Sequence, residues 1–394
     1  LTIILGDMEY TGVNVSKDEL INMGEEIKIK LELIEKDIYN YAGEEFNVSS
    51  PKQLGEILFD KLSLPFAKKN KNGYKTSADI LEKLKDKHPI INKILEYRML
   101  TKLYTTYIEG LINSILEDNK IHTIYTQVLT RTGRLSSIEP NLQNIPIRYQ
   151  EGKLIRKAFK PSKDSIIMSS DYSQIELRLL SHIANVKSLI DAFKGDIDIH
   201  TKTASDIFNV ETDDVTKDQR RVAKAVNFGI IYGISSYGLS ENLNIKPSEA
   251  KNFIDNYFEA YPGIKEYMDE TKKKAYENGF VKTLMGRIRN IDELSNKNYM
   301  IRQAGERIAL NTPIQGTSAD IIKKAMIKID EKFKKNNIKS KMILQVHDEL
   351  IFDVKEEEKE LVETIVKDTM ENIIKLNVPI KVSCDIGANW YELK

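Results

Sequence analysis

Three short stretches carry side chains whose types and spacing suit chemistry. The first, LQVHDELIFD (Leu344–Asp353), reads as two apolar strands, Met342–Val346 and Leu350–Val354, meeting at a His347-Asp348-Glu349 corner. Such corners ordinarily use Gly or Asn, which tolerate positive φ. Two adjacent acids between flanks apolar enough to be buried repel each other, and burying them is costly without a compensating cation. A divalent metal is the economical answer. Mg2+ takes oxygen ligands and often uses one or two carboxylates plus substrate phosphates. The second stretch, SIIMSSDYS (Ser165–Ser173), reads as a strand with Ile166, Ile167 and Met168 that enters a turn at Asp171. Ser173 and Glu176 fit a capping box opening the helix QIELRLLSHIA. Asp171 is either a simple turn residue or a second metal-binding acid. If the two strands are neighbours, Asp171 and Asp348 converge.

The third stretch is DQRRVAKAVNFGIIYG (Asp218–Gly233). Thr216 and Gln219 form a capping box, so the stretch is a helix. Arg220, Lys224, Phe228 and Tyr232 recur every fourth residue. Each step turns the position by only ~40°, so the four share one face. That face carries two cations and then two aromatics. It suits a ligand with an anionic end and a flat end, a nucleoside triphosphate, and the cations sit in the first turns where the helix dipole also favours anions. The alternative is a solvated amphipathic helix. Two carboxylates, two Mg2+ ions and a triphosphate together imply two-metal phosphoryl transfer.

The elements that must position these groups follow from periodicity. Ser16 to Glu19 is a capping box, and a long amphipathic helix should run from it to about Tyr41, followed by shorter helices to Leu64. Further helices are expected over Ser77–Lys87 and Pro89–Leu116. From Lys120 to Ile147, Thr, Ser, Gly and Asn replace helical periodicity. Helices then dominate from Gln174 to Phe333, broken at YPG and around Gly286. A hairpin, a helix over Glu356–Leu376 and a strand VPIKVSCDI close the chain. Helical and mixed segments therefore alternate, and the two mixed segments can share one sheet.

The 394 residues suffice for two or three domains with a sizeable core. No apolar run approaches the ~20 residues that span a bilayer. The chain begins at Leu1 rather than Met, which reads as a fragment. The single cysteine, Cys384, excludes an internal disulfide and favours a reducing compartment. Net charge is zero, yet Lys120 to Lys160 holds eight Lys/Arg against two Glu, and KKNKNGYK (Lys68–Lys75) holds four lysines and no acid. Each cluster is either part of a cationic track for a polyanion or a solvated surface.

DYSQIELR, RRVAKAVNFGIIYG and QVHDE, in this order, resemble the three polymerase motifs of family A DNA polymerases, the bacterial DNA polymerase I type. TGRLSSIEPNLQNIPIR (Thr132–Arg148), DIHTKTASDIF (Asp198–Phe208) and ALNTPIQGTSADI (Ala309–Ile321) also resemble family segments, so the likeness covers the chain. It implies an α+β right-hand fold with an antiparallel-sheet palm, helical fingers and a helical thumb. Residues 1–125 would be thumb with a short palm lead-in, 126–185 the first part of the palm, 186–320 the fingers, and 321–394 the rest of the palm. The activity implied is template-directed addition of deoxynucleoside triphosphates to a primer 3′-hydroxyl, with release of pyrophosphate and no proofreading exonuclease in this chain.

By the same resemblance, Asp171 and Asp348 bind two Mg2+ ions, for which Mn2+ can substitute. The Tyr172 backbone carbonyl completes a metal shell and Glu349 is auxiliary. Arg220, Lys224 and His200 resemble the triphosphate clamp, with Gln174 near it, and Lys224 is a candidate proton donor to the leaving group. Phe228 would lie beside sugar and base, and Tyr232 near the template base. Family members with Phe at this position tend to reject chain terminators. Glu176 resembles the steric gate against a ribose 2′-hydroxyl, alongside its reading as a helix cap. Arg134, Arg307, Asn311, Gln315 and His347 resemble residues that touch the primer–template minor groove or the primer end, where shared acceptors let contacts test pair shape rather than sequence. Lys68, Lys69, Lys71, Lys75 and the run from Arg131 through Arg148 to Lys160 would grip phosphates. The implied partners are primer–template DNA and deoxynucleotides, with no membrane and a monomeric state. The implied place is the bacterial cytoplasm at the nucleoid, or the DNA-containing compartment of a phage-encoded or organellar protein. A single-subunit RNA polymerase and a non-catalytic DNA-binding relative are the competing readings. Glu176 argues against the first, and Asp171, Asp348, Arg220 and Lys224 together argue against the second.

Overall fold

A computed structural model describes residues 1–71, 73–147 and 149–393. The chain separates into two compact units. The first comprises Leu1–Thr11, Ile124–Ile138 and Lys163–Ile386; the second comprises Gly12–Thr123, Glu139–Ser162 and the residues from Gly387 on.

The first unit is built on a four-stranded sheet. Its strands are β1 (Ser165–Tyr172), β2 (Lys341–Val346), β3 (Glu349–Lys355) and β4 (Val382–Gly387), in the spatial order β2-β3-β1-β4. β3 pairs antiparallel with both β2 and β1, with Phe352 opposite Met168 and Glu349 opposite Asp171. The two mixed segments thus share one sheet, as their sequences suggest. Near-continuous apolar runs suit strands covered on both faces, and Ile167, Met168, Leu350, Phe352 and Val354 are all buried. Helices Thr2–Thr11, Tyr299–Lys335 and Lys359–Glu371 all contribute to this core. The Phe333 and Phe352 rings lie 6.0 Å apart. Truncating Phe352, which is fully buried, to alanine should cost about 3–5 kcal/mol. Chemical denaturation of the intact chain reads this directly; a loss under about 1 kcal/mol would place the ring outside the core.

Four helices of the unit bear the residues singled out in the sequence: α1 (Ile175–Ile183), α2 (Ile199–Phe208), α3 (Lys217–Ile231) and α4, the core helix Tyr299–Lys335. The breaks fall where the sequence puts them. Helix Pro247–Ala260 stops before Pro262, and a two-stranded hairpin, Phe280–Lys282 with Ile288–Asn290, turns at Gly286. Thr216 and Gln219 form the anticipated reciprocal cap of α3.

The second unit is mostly helical. Ser16 caps helix Lys17–Ala42 through the Glu19 amide, but the Glu19 carboxylate bonds Lys160 instead of returning to the cap. That helix packs on Pro89–Lys102, which continues through a widened π-helical stretch, Leu103–Glu109, to Ser114.

Three expectations need correction. The helix expected over Ser77–Lys87 spans only Ala78–Glu82, because tight turns follow and extended His88 precedes Pro89. The helix expected to reach Leu376 ends at Glu371. The closing strand begins at Val382 rather than Val378, since the Pro379 and Lys381 carbonyls are taken by Arg178 and by the Ser173 amide.

Candidate active site

The β2–β3 hairpin has a two-residue loop. Val346 pairs with Glu349, and His347–Asp348 turn the chain. His347 takes φ 55°, the left-handed conformation the corner demands. Histidine is among the non-glycine residues that adopt it. The Asp348 carbonyl accepts from the Tyr172 amide at 3.2 Å, and its Oδ1 accepts from Ser318 Oγ at 2.7 Å. Asp171, Asp348 and Glu349 therefore stand together at the end of adjacent strands. Asp171 and Glu349 are direct cross-strand partners, so they project from the same face, where like charges destabilise without a cation. Ser169 donates to the Glu349 carboxylate. The Tyr172 side chain is buried and its hydroxyl donates to the Met370 carbonyl at 3.1 Å, leaving only its backbone for ligation.

The turn after β1 is held by Arg178. Its guanidinium donates to the Ser173 and Pro379 carbonyls at 2.8 and 2.6 Å and lies over the Phe193 ring. Gln174 adopts φ 54°, ψ 39° as the residue before α1 and makes no capping bond. The Ser173–Glu176 capping box is therefore absent. The left-handed Gln174 swings the chain into the helix by another route, and Glu176 faces the site. Only 6% exposed, Glu176 accepts from Arg134 Nη2 at 2.8 Å and from the Tyr232 hydroxyl at 2.9 Å. The same Arg134 nitrogen is 4.0 Å from Asp348 Oδ2. Burial raises the Glu176 carboxyl pKa; Arg134 opposes the rise and Asp348 adds to it. The Tyr232 hydroxyl is pushed up to about 12 by burial and by Glu176.

On α3, Val222, Ala223, Val226, Asn227, Ile230 and Ile231 are buried, whereas Arg220, Lys224 and Phe228, with the capping residue Tyr232, are not. The four share the solvent-facing side, as their spacing requires. Arg220 is not idle: its Nε and Nη2 donate to the two Asp198 oxygens at 3.1 and 2.8 Å. Burial works against ionised Asp198, yet Arg220 and Thr201 hold its pKa well below the ordinary range. Two residues on, His200 is 3% exposed, with its ring 5.7 Å from Phe228. Burial lowers its pKa to about 4; Asp198 resists, while Arg220 and Lys224 add to the fall.

Arg307, Asn311 and Gln315 lie along α4 at four-residue spacing and are less buried than the positions around them. Arg134 Nε and Asn311 Oδ1 are buried with no hydrogen-bond partner among the described residues. Lys68, Lys69, Lys71 and Lys75 are exposed on a two-stranded hairpin of the second unit, where the Lys69 ammonium lies 4.2 Å above the Tyr74 ring. Arg148 lies outside the described residues. Sequence reasoning passed over Ser318, Ser169, Arg178 and Asn227. Ser318 alone carried a signal, being three residues beyond Gln315 on the same helix stripe.

The donor set fits a hard cation. Among the described residues, no three His, Cys, Asp or Glu side chains are arranged to hold a metal ion between them. Asp171 and Asp348, on neighbouring strand ends, suit an ion that takes its other oxygens from a substrate, as Mg2+ commonly does.

Comparison with known proteins agrees in one direction. The sequence model of DNA polymerase family A matches residues 17–392. DNA polymerase I of Bacillus subtilis (strain 168) is 56% identical over 396 residues, covering 100% of this chain and 45% of that protein. DNA polymerase I of Lactococcus lactis subsp. lactis (strain IL1403) is 53% identical over 395 residues, with the same coverage. The chain thus spans about half the length of the curated relatives it matches. Among solved structures, the POL domain of Pol1 from M. smegmatis, in complex with DNA primer–template and dNTP, matches with a TM-score of 0.94 at 41% identity, covering 99% of this chain and 69% of that one. No helix of the described residues is long and apolar enough to cross a membrane.

Proposed function

The chain belongs to DNA polymerase family A, and from that premise we propose that it extends a primer along a DNA template, consuming deoxynucleoside triphosphates and releasing pyrophosphate. The observation that carries the proposal is the strand-end pairing that sets Asp171 beside the Asp348 corner in the unit that also holds the Arg220–Lys224–Phe228 face. Asp171 and Asp348 would hold two divalent cations, Mg2+ by preference, with the Tyr172 carbonyl assisting. Such ions, when bound, activate the attacking hydroxyl and neutralise charge on the phosphates.

The chain's own residues do the rest. Arg220 and Lys224 bind the triphosphate, and the Asp198 carboxylate keeps the Arg220 fork oriented until phosphate oxygens replace it. Lys224 also gives a proton to departing pyrophosphate on this reading. His200 and Gln174 line the same approach. Tyr232, tied to Glu176, closes the nucleotide site toward the template base. Arg134, Arg307, Asn311, Gln315 and His347 meet the minor groove and primer end, and the lysines at 68, 69, 71 and 75, with Arg148, hold phosphates. We read residues 1–125 as thumb, 126–185 and 321–394 as palm and 186–320 as fingers, acting as a monomer in the bacterial cytoplasm. No primer-shortening step is assigned to these residues, because the strand-end acids are taken by the polymerising site. Primer extension tests the reading: deoxynucleotides should support elongation, ribonucleotides should not, and tight DNA binding without elongation would contradict it.

Phe228 gives a sharper test. One turn beyond the phosphate-binding cations, its ring should lie against the sugar near the 3′ carbon. A normal nucleotide can bond its own phosphate through the 3′-hydroxyl; a dideoxynucleotide cannot, and Phe offers no hydroxyl in replacement. Discrimination against dideoxynucleotides is expected, and Phe228→Tyr should remove most of it. One hydrogen bond restored in a partly dry site is worth ~1–3 kcal/mol, roughly ten- to hundred-fold in selectivity. Competition of dideoxy- against deoxynucleotides on one primer–template measures this, and equal terminator use by both proteins would remove Phe228 from the sugar.

A further inference from the structure

Asn227 is the one polar residue on the buried side of α3 within the stretch Val222–Ile231, and it is fully buried. Its amide nitrogen lies 3.2 Å from His200 Nδ1 and 3.0 Å from Thr203 Oγ1. Thr203 Oγ1 in turn donates to the Ile199 carbonyl at 2.8 Å. This chain of bonds has a direction. Thr203 Oγ1 also lies 3.3 Å from Asn227 Oδ1, but a hydroxyl has one proton and the shorter bond to Ile199 takes it, so Thr203 accepts from Asn227 and the amide's second N–H points at His200. An amide nitrogen only donates, so Nδ1 must accept. A neutral imidazole whose Nδ1 accepts carries its proton on Nε2. That far edge of the ring has no hydrogen-bond partner among the described residues, and the ring lies beside Phe228 on the nucleotide-facing side.

We infer that Asn227 is a positioning residue that fixes His200 as the neutral imidazole with its proton on Nε2, so that His200 meets the triphosphate as a hydrogen-bond donor. The inference rests on reading His200 as part of the nucleotide clamp. The groups acting on the ring are Asp198 at the start of α2 and Arg220 and Lys224 on α3; the other elements packed on α2 bring none that bears on it among the described residues. Burial holds the ring's pKa at about 4, so the donor persists where an ordinary histidine would titrate, between about pH 5 and 8. In that role a buried amide does what a carboxylate could not. Aspartate at 227 would take the proton onto Nδ1, favour imidazolium, and leave Nε2 as an acceptor facing phosphate once the ring is neutral.

Nitrogen-15 spectra of the intact chain labelled at its five histidines read the tautomer directly, with His200 assigned by its loss in His200→Ala. The expected spectrum has a protonated Nε2 and a bare Nδ1, unchanged between about pH 5 and 8. A proton on Nδ1, or titration inside that window, overturns the inference without any variant having to fold. Asn227→Asp should move the proton to Nδ1 and bring titration into the window. Its KM for a deoxynucleotide should then rise roughly ten-fold as the pH climbs through that titration, while the unaltered chain shows no such rise. A pH-independent KM in Asn227→Asp overturns the positioning role. An unchanged KM in His200→Ala, with the tautomer as expected, instead overturns the clamp reading and leaves the hydrogen bond standing.

Discussion

Asp348→Ala should lose at least about a thousand-fold in incorporation rate while keeping its affinity for primer–template. Asp348 holds its place through a backbone bond to Tyr172 and a side-chain bond from Ser318, so its carboxylate is fixed relative to Asp171 on the neighbouring strand. On the proposed reading Asp171 and Asp348 are the two carboxylates that hold the ions, with Glu349 opposite Asp171 only auxiliary, so removing either takes away half of the principal ligand charge. A metal-assisted step draws several kcal/mol from its ligands, and about 4 kcal/mol corresponds to a thousand-fold. Asp171→Ala should behave alike. DNA affinity should survive in both, because duplex binding is dominated by cationic contacts to phosphate and neither acid makes one. Arg134 stays anchored by Glu176 in either variant, so the rest of the site has no reason to collapse. Rapid-quench incorporation alongside equilibrium DNA binding checks both halves. Substantial turnover by either variant with Mg2+ would remove the carboxylate pair from the chemistry.

Glu176→Ala should raise ribonucleotide use relative to deoxynucleotide use by roughly a hundred-fold, a change of about 3 kcal/mol in discrimination. A gate works by excluding the larger substrate, so it must be rigid and must cost something to displace. Glu176 meets both conditions: it is buried, and both its oxygens are engaged, one by Arg134 and one by Tyr232. Alanine opens space and frees both partners, so deoxynucleotide incorporation should also fall, though less. Glu176→Gln separates volume from charge. Glutamine fills the same space and still accepts a hydrogen bond, so its selectivity should stay within a few-fold of the original. If alanine leaves the ratio unchanged, Glu176 is only a strut between Arg134 and Tyr232.

Much of this site is legible in the sequence because the relevant signals are local. Four-residue spacing sets one face of a helix, and the face of α3 follows directly from Arg220, Lys224, Phe228 and Tyr232. A corner occupied by two acids is conspicuous, and apolar runs long enough to be buried on both faces mark β1 and β3. What the sequence conceals is side-chain pairing across distance. Ser173 and Glu176 have capping-box spacing, but spacing cannot report that Gln174 is left-handed or that Arg134, 42 residues away, claims the carboxylate. Arg220 reads as a free cation until Asp198 is seen beside it. Asn227 reads as an ordinary helix residue, since nothing local reveals that its amide meets His200. The ends of elements also mislead, because the Pro379 and Lys381 carbonyls are drawn away from strand pairing by Arg178 and Ser173, some 200 residues earlier in the chain.

If these residues copy a template, the templating base alone must select the nucleotide added, and single-nucleotide incorporation by the purified chain on four primer–templates, identical except for that base, reads the selection. The expected result is that each template selects its complementary deoxynucleotide, that incorporation requires a divalent cation, and that Asp171→Ala abolishes all four reactions. Incorporation indifferent to the templating base, or none by the intact chain with Mg2+ and tightly bound DNA, would contradict it.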